Sequence, residues 1–273
     1  MMTNQQHRDF PPNPAERDGY RLVFDENFTS PEINTSRWFP YYLPQWSSKE
    51  KSKPSYKIAN GHLTLTITPE QAPWCPEFNG QVKCSSIQTG VYSGSLGSPN
   101  GQHRFNSACR VREEQKMLKL YTPQYGYFEI RAKAKIGSNH VAAFWLIGFE
   151  DTPEKSGEIC IMELKGKNVS NNSCINGYGI HPFGDDDLTD QFFEDRFEIA
   201  ADHFNIYAVE WKPEEVRFFL NNQLVRSISQ SPAYDMQLML NIYELHPSPT
   251  DSKQSPPELV VDYIRGYQER ASE

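Results

Sequence analysis

Two glutamates, Glu158 and Glu163, stand five residues apart in the mainly apolar run SGEICIMELKG, residues 156–166. An isolated carboxylate is costly to move out of water, so a strand that keeps two needs a partner or a chemical task for them. On a regular strand Glu158 and Cys160 share one face and Ile159 and Ile161 the other, which leaves Glu163 pointing into the core with the isoleucines. One extra residue, a β-bulge near Ile161 or Met162, returns Glu163 to the face of Glu158. Two carboxyls then project from one strand into one cleft, at a separation suited to the roughly 5 to 5.5 Å of retaining glycoside cleavage. One, ionised, attacks the anomeric carbon. The other gives a proton to the departing oxygen and afterwards acts as base toward water. Like charge at close range pushes the two pKa values apart, so both roles coexist near neutrality. The competing reading is a pair of solvent-facing glutamates on an exposed strand.

The elements that must position this pair are strands. Segments such as YRLVFDENF, HLTLTIT, GYFEIRAKAKI, HVAAFWLIGF, FNIYAVEW, MQLMLNIYEL and LVVDYIRGYQ follow one another with turn signals between them. Asn221-Asn222, between VRFFL and QLVRSI, is a tight hairpin turn. No long helical period and no internal repeat interrupts the series, which is the pattern of a large β-sandwich in a single domain spanning 19–273. Residues 1–18 are polar and proline-rich and read as a flexible N-terminal tail. The stretch from Trp74 to about Leu118 is the least regular, as functional or mobile loops are.

Composition narrows the partners. The 273 residues carry a formal net charge of −8 with no basic block, so nucleic acid is excluded as an expected ligand. No apolar run approaches a membrane span, and an aromatic share of 13% leaves rings available for stacking. Five cysteines leave at least one thiol unpaired; Cys75 and Cys84 bracket a loop that a disulfide could close, and two reduced thiols are the alternative. The N-terminus lacks the pattern of a secretory signal, so the chain is expected either to stay in the cytoplasm or to be extracellular after loss of a signal peptide.

GEICIMELKG resembles the catalytic strand of glycoside hydrolase family 16, whose bulged form reads Glu-x-Asp-x-x-Glu. The likeness runs from about residue 20 to 269. YRLVFDENF with Trp38 resembles the opening strand, YKIANGHLTLTI the strand that follows, YGYFEIRAKAK and AAFWLIG the two strands before the site, and LVVDYIRGYQ the closing strand. The resemblance implies an all-β jelly roll of two curved antiparallel sheets with a polysaccharide cleft. It assigns the nucleophile to Glu158 and the acid/base to Glu163, and it makes Glu129, Arg131, Trp145 and His181 substrate-binding residues.

Three departures from the family pattern accompany this. Cys160 stands where the family has an aspartate between the glutamates, and a normally neutral thiol is a weaker hydrogen-bond partner for them. The tryptophan that often precedes the catalytic glycine is absent from EDTPEKSGE, so the aromatic wall is either supplied by Trp46, Trp74 or Tyr178 or missing. A structural calcium, not required for catalysis, is implied at Gly61 and Asp262, with Asn27 nearby; a metal-free version is the alternative. The resulting expectation is a monomeric retaining endo-glycosidase that cuts internal β-1,3 or β-1,3/1,4 linkages of a β-glucan. The alternatives are a family member acting on another polysaccharide such as a galactan, and a carbohydrate-binding sandwich whose catalysis is lost or reduced through Cys160.

Overall fold

Alternating apolar and polar residues build two antiparallel sheets that pack face to face, the expected jelly-roll sandwich. The computed structural model describes residues 8–246 and 256–270. In chain order the strands are β1 (Tyr20–Glu26), β2 (Ser55–Ala59), β3 (His62–Thr66), β4 (Lys83–Gln88), β5 (Gly90–Val91), β6 (Leu118–Lys119), β7 (Gly126–Lys135) and β8 (His140–Gly148). They continue as β9 (Glu158–Val169), β10 (Cys174–His181), β11 (Gln191–Phe197), β12 (Asn205–Trp211), β13 (Val216–Leu220), β14 (Gln223–Ile228), β15 (Met236–Glu244) and β16 (Glu258–Glu269). Helical structure among the described residues is limited to turns at Pro44–Trp46, Lys49–Ser52 and Pro76–Asn79. No helix among them is long and apolar enough to cross a membrane.

The larger sheet runs β14-β13-β12-β7-β16-β3-β2, with β1 paired to the second half of β16. The smaller runs β11-β10-β9-β8-β15-β4, and β5 with β6 forms a separate two-stranded ribbon. Between the two large sheets, Phe128, Ile130 and Ala132 of β7 share one buried cluster with Phe144 and Leu146 of β8 and Ile159, Ile161, Met162 and Leu164 of β9. At the hairpin between β13 and β14, Asn221 and Asn222 both take positive φ, 49° and 66°, the pair of left-handed residues that a tight turn joining twisted strands requires.

A second apolar cluster lies on the other face of the six-stranded sheet. Ala143, Trp145, Ile147 and Met239 from β8 and β15 are buried there under Trp46, Trp74, Cys75, Cys109 and Val111. The irregular stretch after Trp74 is therefore packed: its apolar residues cover one half of this sheet and leave the other half open. All five cysteines are free thiols. Cys75 Sγ donates to the Trp46 carbonyl at 3.3 Å, and Cys84 sits beside Asn241 Nδ2 at 4.0 Å, so of the two alternatives for this pair the structure has the reduced thiols.

The segment expected to be a flexible tail is held in place as far as it is described; residues 1–7 lie outside the described residues. Phe10 donates its N–H to the Phe204 carbonyl, Phe204 N–H donates to Asp9, and Asn13 is tied to Glu129, Tyr263 and Asn222. Arg17 lies over the Tyr127 ring at 3.3 Å. This strap crosses the outer face of the larger sheet, where polar groups on β7 and β16 give it partners that its own composition does not reveal.

Candidate active site

The bulge inferred from the glutamate spacing is present. Across β8 the register pairs Phe144 with Met162 and Trp145 with Cys160, which leaves Ile161 without a partner, and the register with β10 shifts at the same place. Ile161 and Met162 both enter the core, and Glu158, Cys160, Glu163 and Lys165 all line one open groove on the other face. Two consecutive core-facing residues are what reconcile the apolar pattern with the carboxylate pair.

Neighbouring strands set the floor by register. Ala143 and Gly177 flank Glu163, Trp145 and Gly179 flank Cys160, and His181 stands opposite Glu158. The glycines on β10 keep that side low: a Cβ at Gly177 would come within 2.6 Å of the Phe192 ring and 3.2 Å of Glu163 Cβ. Trp145 forms part of the floor, and its indole N–H donates to Asn241 Oδ1 at 2.5 Å, while Asn241 donates in turn to Ser86 Oγ at 2.6 Å. His181 lines the groove, stacks on Phe192 with centroids 4.6 Å apart and lies 2.9 Å from Asp190.

The groove's electrostatics centre on the carboxyl pair. Burial pushes the Glu158 carboxyl well above the usual range, and the charge of Glu163 adds to that. Glu163 carries a counter-ion, the Lys165 ammonium at 3.1 Å, which also reaches Glu194 at 2.8 Å. On the protein's own charges the pair's shared proton therefore sits on Glu158. Burial and both glutamates push the Cys160 thiol up as well, so it is neutral, and it is directed at the Gly177 carbonyl at 3.8 Å.

Sequence reasoning missed several groove residues. Lys165 was legible in principle, two positions beyond Glu163 and so on its face. His103, Arg104 and Phe105 arrive from the irregular stretch, where no periodicity marks them, and Tyr42, Phe183 and Tyr243 complete the aromatic lining. Trp46 and Trp74 are fully buried in the second cluster, and Tyr178 points into the inter-sheet core with its hydroxyl donating to Asp195. None of these three supplies the expected wall; the exposed Phe183 ring stands there instead, with the His103 imidazole edge-on to it at 5.1 Å and to Trp145 at 5.2 Å.

Burial lowers the His103 pKa to about 4, with nearby His181 a smaller cause. A histidine that stays neutral when folded contributes stability present above its unfolded pKa and lost as pH falls from about 6.5 toward 4. The penalty at the acid end is on the order of 3 kcal/mol. His103→Asn should flatten that part of the stability profile in denaturant melts at pH 7, 5.5 and 4.5. Parallel profiles for the two proteins would show that His103 is not held neutral by burial.

Glu129 and Arg131 are not in the groove. They do share a face of β7, as alternation requires, but β7 belongs to the larger sheet and that face looks away from β9. Glu129 accepts from Asn13 Nδ2 at 2.8 Å, with Arg265 at 3.8 Å. Arg131 donates to the Phe10 carbonyl at 2.9 and 2.7 Å and to Asp262 at 2.6 Å, with its guanidinium over the Phe204 ring. Alternation separates inward from outward residues and does not tell which of two outward surfaces is meant.

The residues implied for calcium do not fit that ion. Gly61 occupies the turn between β2 and β3 at φ 73°, and a Cβ there would lie 4.0 Å from the Asn27 carbonyl. Asp262, the one carboxylate of the set, is already neutralised by Arg131 at 2.6 Å and faces His62 at 3.6 Å. Among the described residues no group of three or more His, Cys, Asp or Glu side chains could hold a metal ion.

Comparison with known proteins places this groove in context. Residues 115–265, more than half of the chain, match the model of "Glycosyl hydrolases family 16". A β-glucanase of Rhodothermus marinus is 30% identical over 169 residues, 52% of this chain and 57% of that protein. The chain spans about half the length of the curated relatives it matches. Among solved structures, the GlcNAcα1-4Gal-releasing endo-β-galactosidase of Clostridium perfringens superposes with a TM-score of 0.83 at 30% identity, covering 96% of this chain and 65% of that one. A laminarinase from Flavobacterium sp. UMI-01, at 22% identity and TM-score 0.63 over 91% of this chain and 100% of that one, shares the fold. With the motif strand, the sandwich and the matched stretch in agreement, the chain belongs to glycosyl hydrolase family 16.

Proposed function

We propose that this chain is a retaining endo-glycosidase that cleaves a β-galactosidic linkage within a glycan chain. The observation that carries the reading is the bulge at Ile161, which sets Glu158 and Glu163 side by side on the floor of one groove. The choice of galactoside is supported by likeness to the endo-β-galactosidase over nearly the whole of this chain. A β-1,3 or β-1,3/1,4-glucan is the second reading, favoured by the 30% identity to a β-glucanase over a shorter stretch.

In this reading the Glu158 carboxylate attacks the anomeric carbon as the glycosidic bond breaks, and Glu163 gives its proton to the departing oxygen. Glu163 then takes a proton from water, whose oxygen displaces Glu158 and releases the sugar with its anomeric configuration retained. Because the ligand-free charges place the proton on Glu158, it has to pass to Glu163 when a sugar enters, and Lys165 has to turn toward Glu194. Trp145 and Phe183 offer ring faces to the apolar sides of pyranoses.

The test is product release from galactan, laminarin, lichenan and a β-galactoside oligosaccharide, with NMR of the first-formed anomer. The expected result is release from the galactosides with the β-anomer formed first. Release from laminarin or lichenan alone would select the glucan reading, and binding of these glycans with no release from any of them would reduce the chain to a carbohydrate-binding sandwich.

Cys160 modulates this chemistry. Cys160→Asp adds a carboxylate beside both glutamates, so the pair keeps its shared proton to higher pH. The alkaline limb of the kcat/KM profile should move up by about one pH unit while turnover stays within about tenfold. An unchanged profile would remove position 160 from the tuning of the pair.

A further inference from the structure

Behind the wall formed by His103, Arg104 and Phe183 lies a second cavity, of about 440 Å³, contiguous with the groove through those three residues. It sits under the connection from β8 to β9, which runs through Glu150 and Ser156 straight into Glu158, so it adjoins the Glu158 end of the motif strand. Its volume lies within the range for ligand pockets, roughly 300–1,000 Å³, which is room enough for a sugar residue.

The lining is that of a sugar site. Glu150 is buried, and its Oε1 accepts from the His103 N–H at 2.8 Å and from Gln102 Nε2 at 3.3 Å. No cationic side chain forms an ion pair with it among the described residues, and burial raises its pKa to about 8. Near neutrality it is a carboxylic acid, with a hydroxyl to donate and oxygens to accept, the pairing that vicinal sugar hydroxyls require. The Phe183 ring, which lines the same cavity, is 55% exposed in a left-handed backbone conformation at φ 47° and borders both cavities. A buried neutral acid and an exposed aromatic in one cavity suit a neutral sugar ring, polar at its edge and apolar on its face.

We propose that this cavity is a side pocket for one neutral sugar residue carried by the glycan in the groove, with Glu150 as its polar contact and Phe183 as its apolar one. The inference rests on the reading of the groove as a glycosidase cleft. If Glu158 is the attacking group, the sugar in the pocket is a branch or cap on the glycone side of the scissile bond. The chain then prefers a decorated glycan to its bare backbone, and releases the decoration together with the sugar that bears it.

The experiment measures binding by calorimetry to the Glu158→Gln full chain, so that it does not depend on turnover. The probes are two β-galactoside oligosaccharides that differ only in one α-linked N-acetylglucosamine cap. The capped probe should bind about tenfold tighter, and adding Glu150→Ala should bring the two within about twofold. Pro153→Trp fills the pocket from an exposed loop position, so it tests the same point without disturbing the buried glutamate. It too should abolish the preference while leaving affinity for the bare probe unchanged. Equal affinity for the two probes, or a preference that survives Pro153→Trp, overturns the pocket. Failure of the catalytic reading would show separately, as a wild-type chain that binds with the predicted preference and cuts neither probe.

Discussion

Glu158→Gln is expected to lower hydrolysis by a factor on the order of 10⁴ or more with the fold intact, because glutamine keeps the shape of the side chain and removes its ability to attack. Glu163→Gln should be as damaging on a natural glycan and much less so on an aryl glycoside whose leaving group needs no proton. Azide separates the two roles. With Glu158→Gly it should enter the emptied side and give the α-glycosyl azide; with Glu163→Gly it should displace the covalent intermediate and give the β-azide. The exchange matters here because burial raises the Glu158 carboxyl and Lys165 neutralises Glu163, the reverse of the resting charges that attack requires. If the two products came out interchanged, the nucleophile would be Glu163 and the proposed assignment would be wrong.

Trp145→Ala should produce the largest loss of stability. The indole is 4% exposed, packed against the loop cluster and bonded to Asn241, so truncation leaves both a cavity and an orphaned amide oxygen. The cost is about 3–5 kcal/mol, which for a domain of this size is a fall in Tm on the order of 10 °C. Trp145→Phe keeps most of the apolar contact and loses the N–H, so it should cost about 1–3 kcal/mol. Thermal melts of the three proteins decide the matter. A shift below about 2 °C for the alanine variant would mean that the floor of the groove does not depend on this side chain.

Several features were readable from residue order alone. Alternation announced β7, since a strand with one buried face writes its geometry into every second residue, and apolar runs between turn signals announced β9, β12 and β16. The bulge was readable for the same reason: Ile161 and Met162 are both apolar, so Glu163 can share a surface with Glu158 only if one residue is skipped. Three strands of the groove sheet were not distinguished, β4 among them because it lies inside the irregular stretch. β10 contains Gly177 and Gly179, and β11 is half polar throughout, so neither alternates cleanly.

Which surface an outward residue reaches was decided only by tertiary structure. Glu129 and Arg131 obey alternation as well as Glu158 does, yet they meet the N-terminal strap because β7 lies between β12 and β16 in the other sheet, with its outward face turned away from β9. Likewise His103, Phe105 and Phe183 reach the groove through loops, and the loop that carries Phe105 packs with Trp46 and Trp74 in the second apolar cluster. Local sequence sets the side of the backbone on which a residue stands, because that follows from bonded geometry and near neighbours. Its eventual neighbours across the sandwich follow from long-range strand pairing and from the burial of apolar surface contributed by distant parts of the chain.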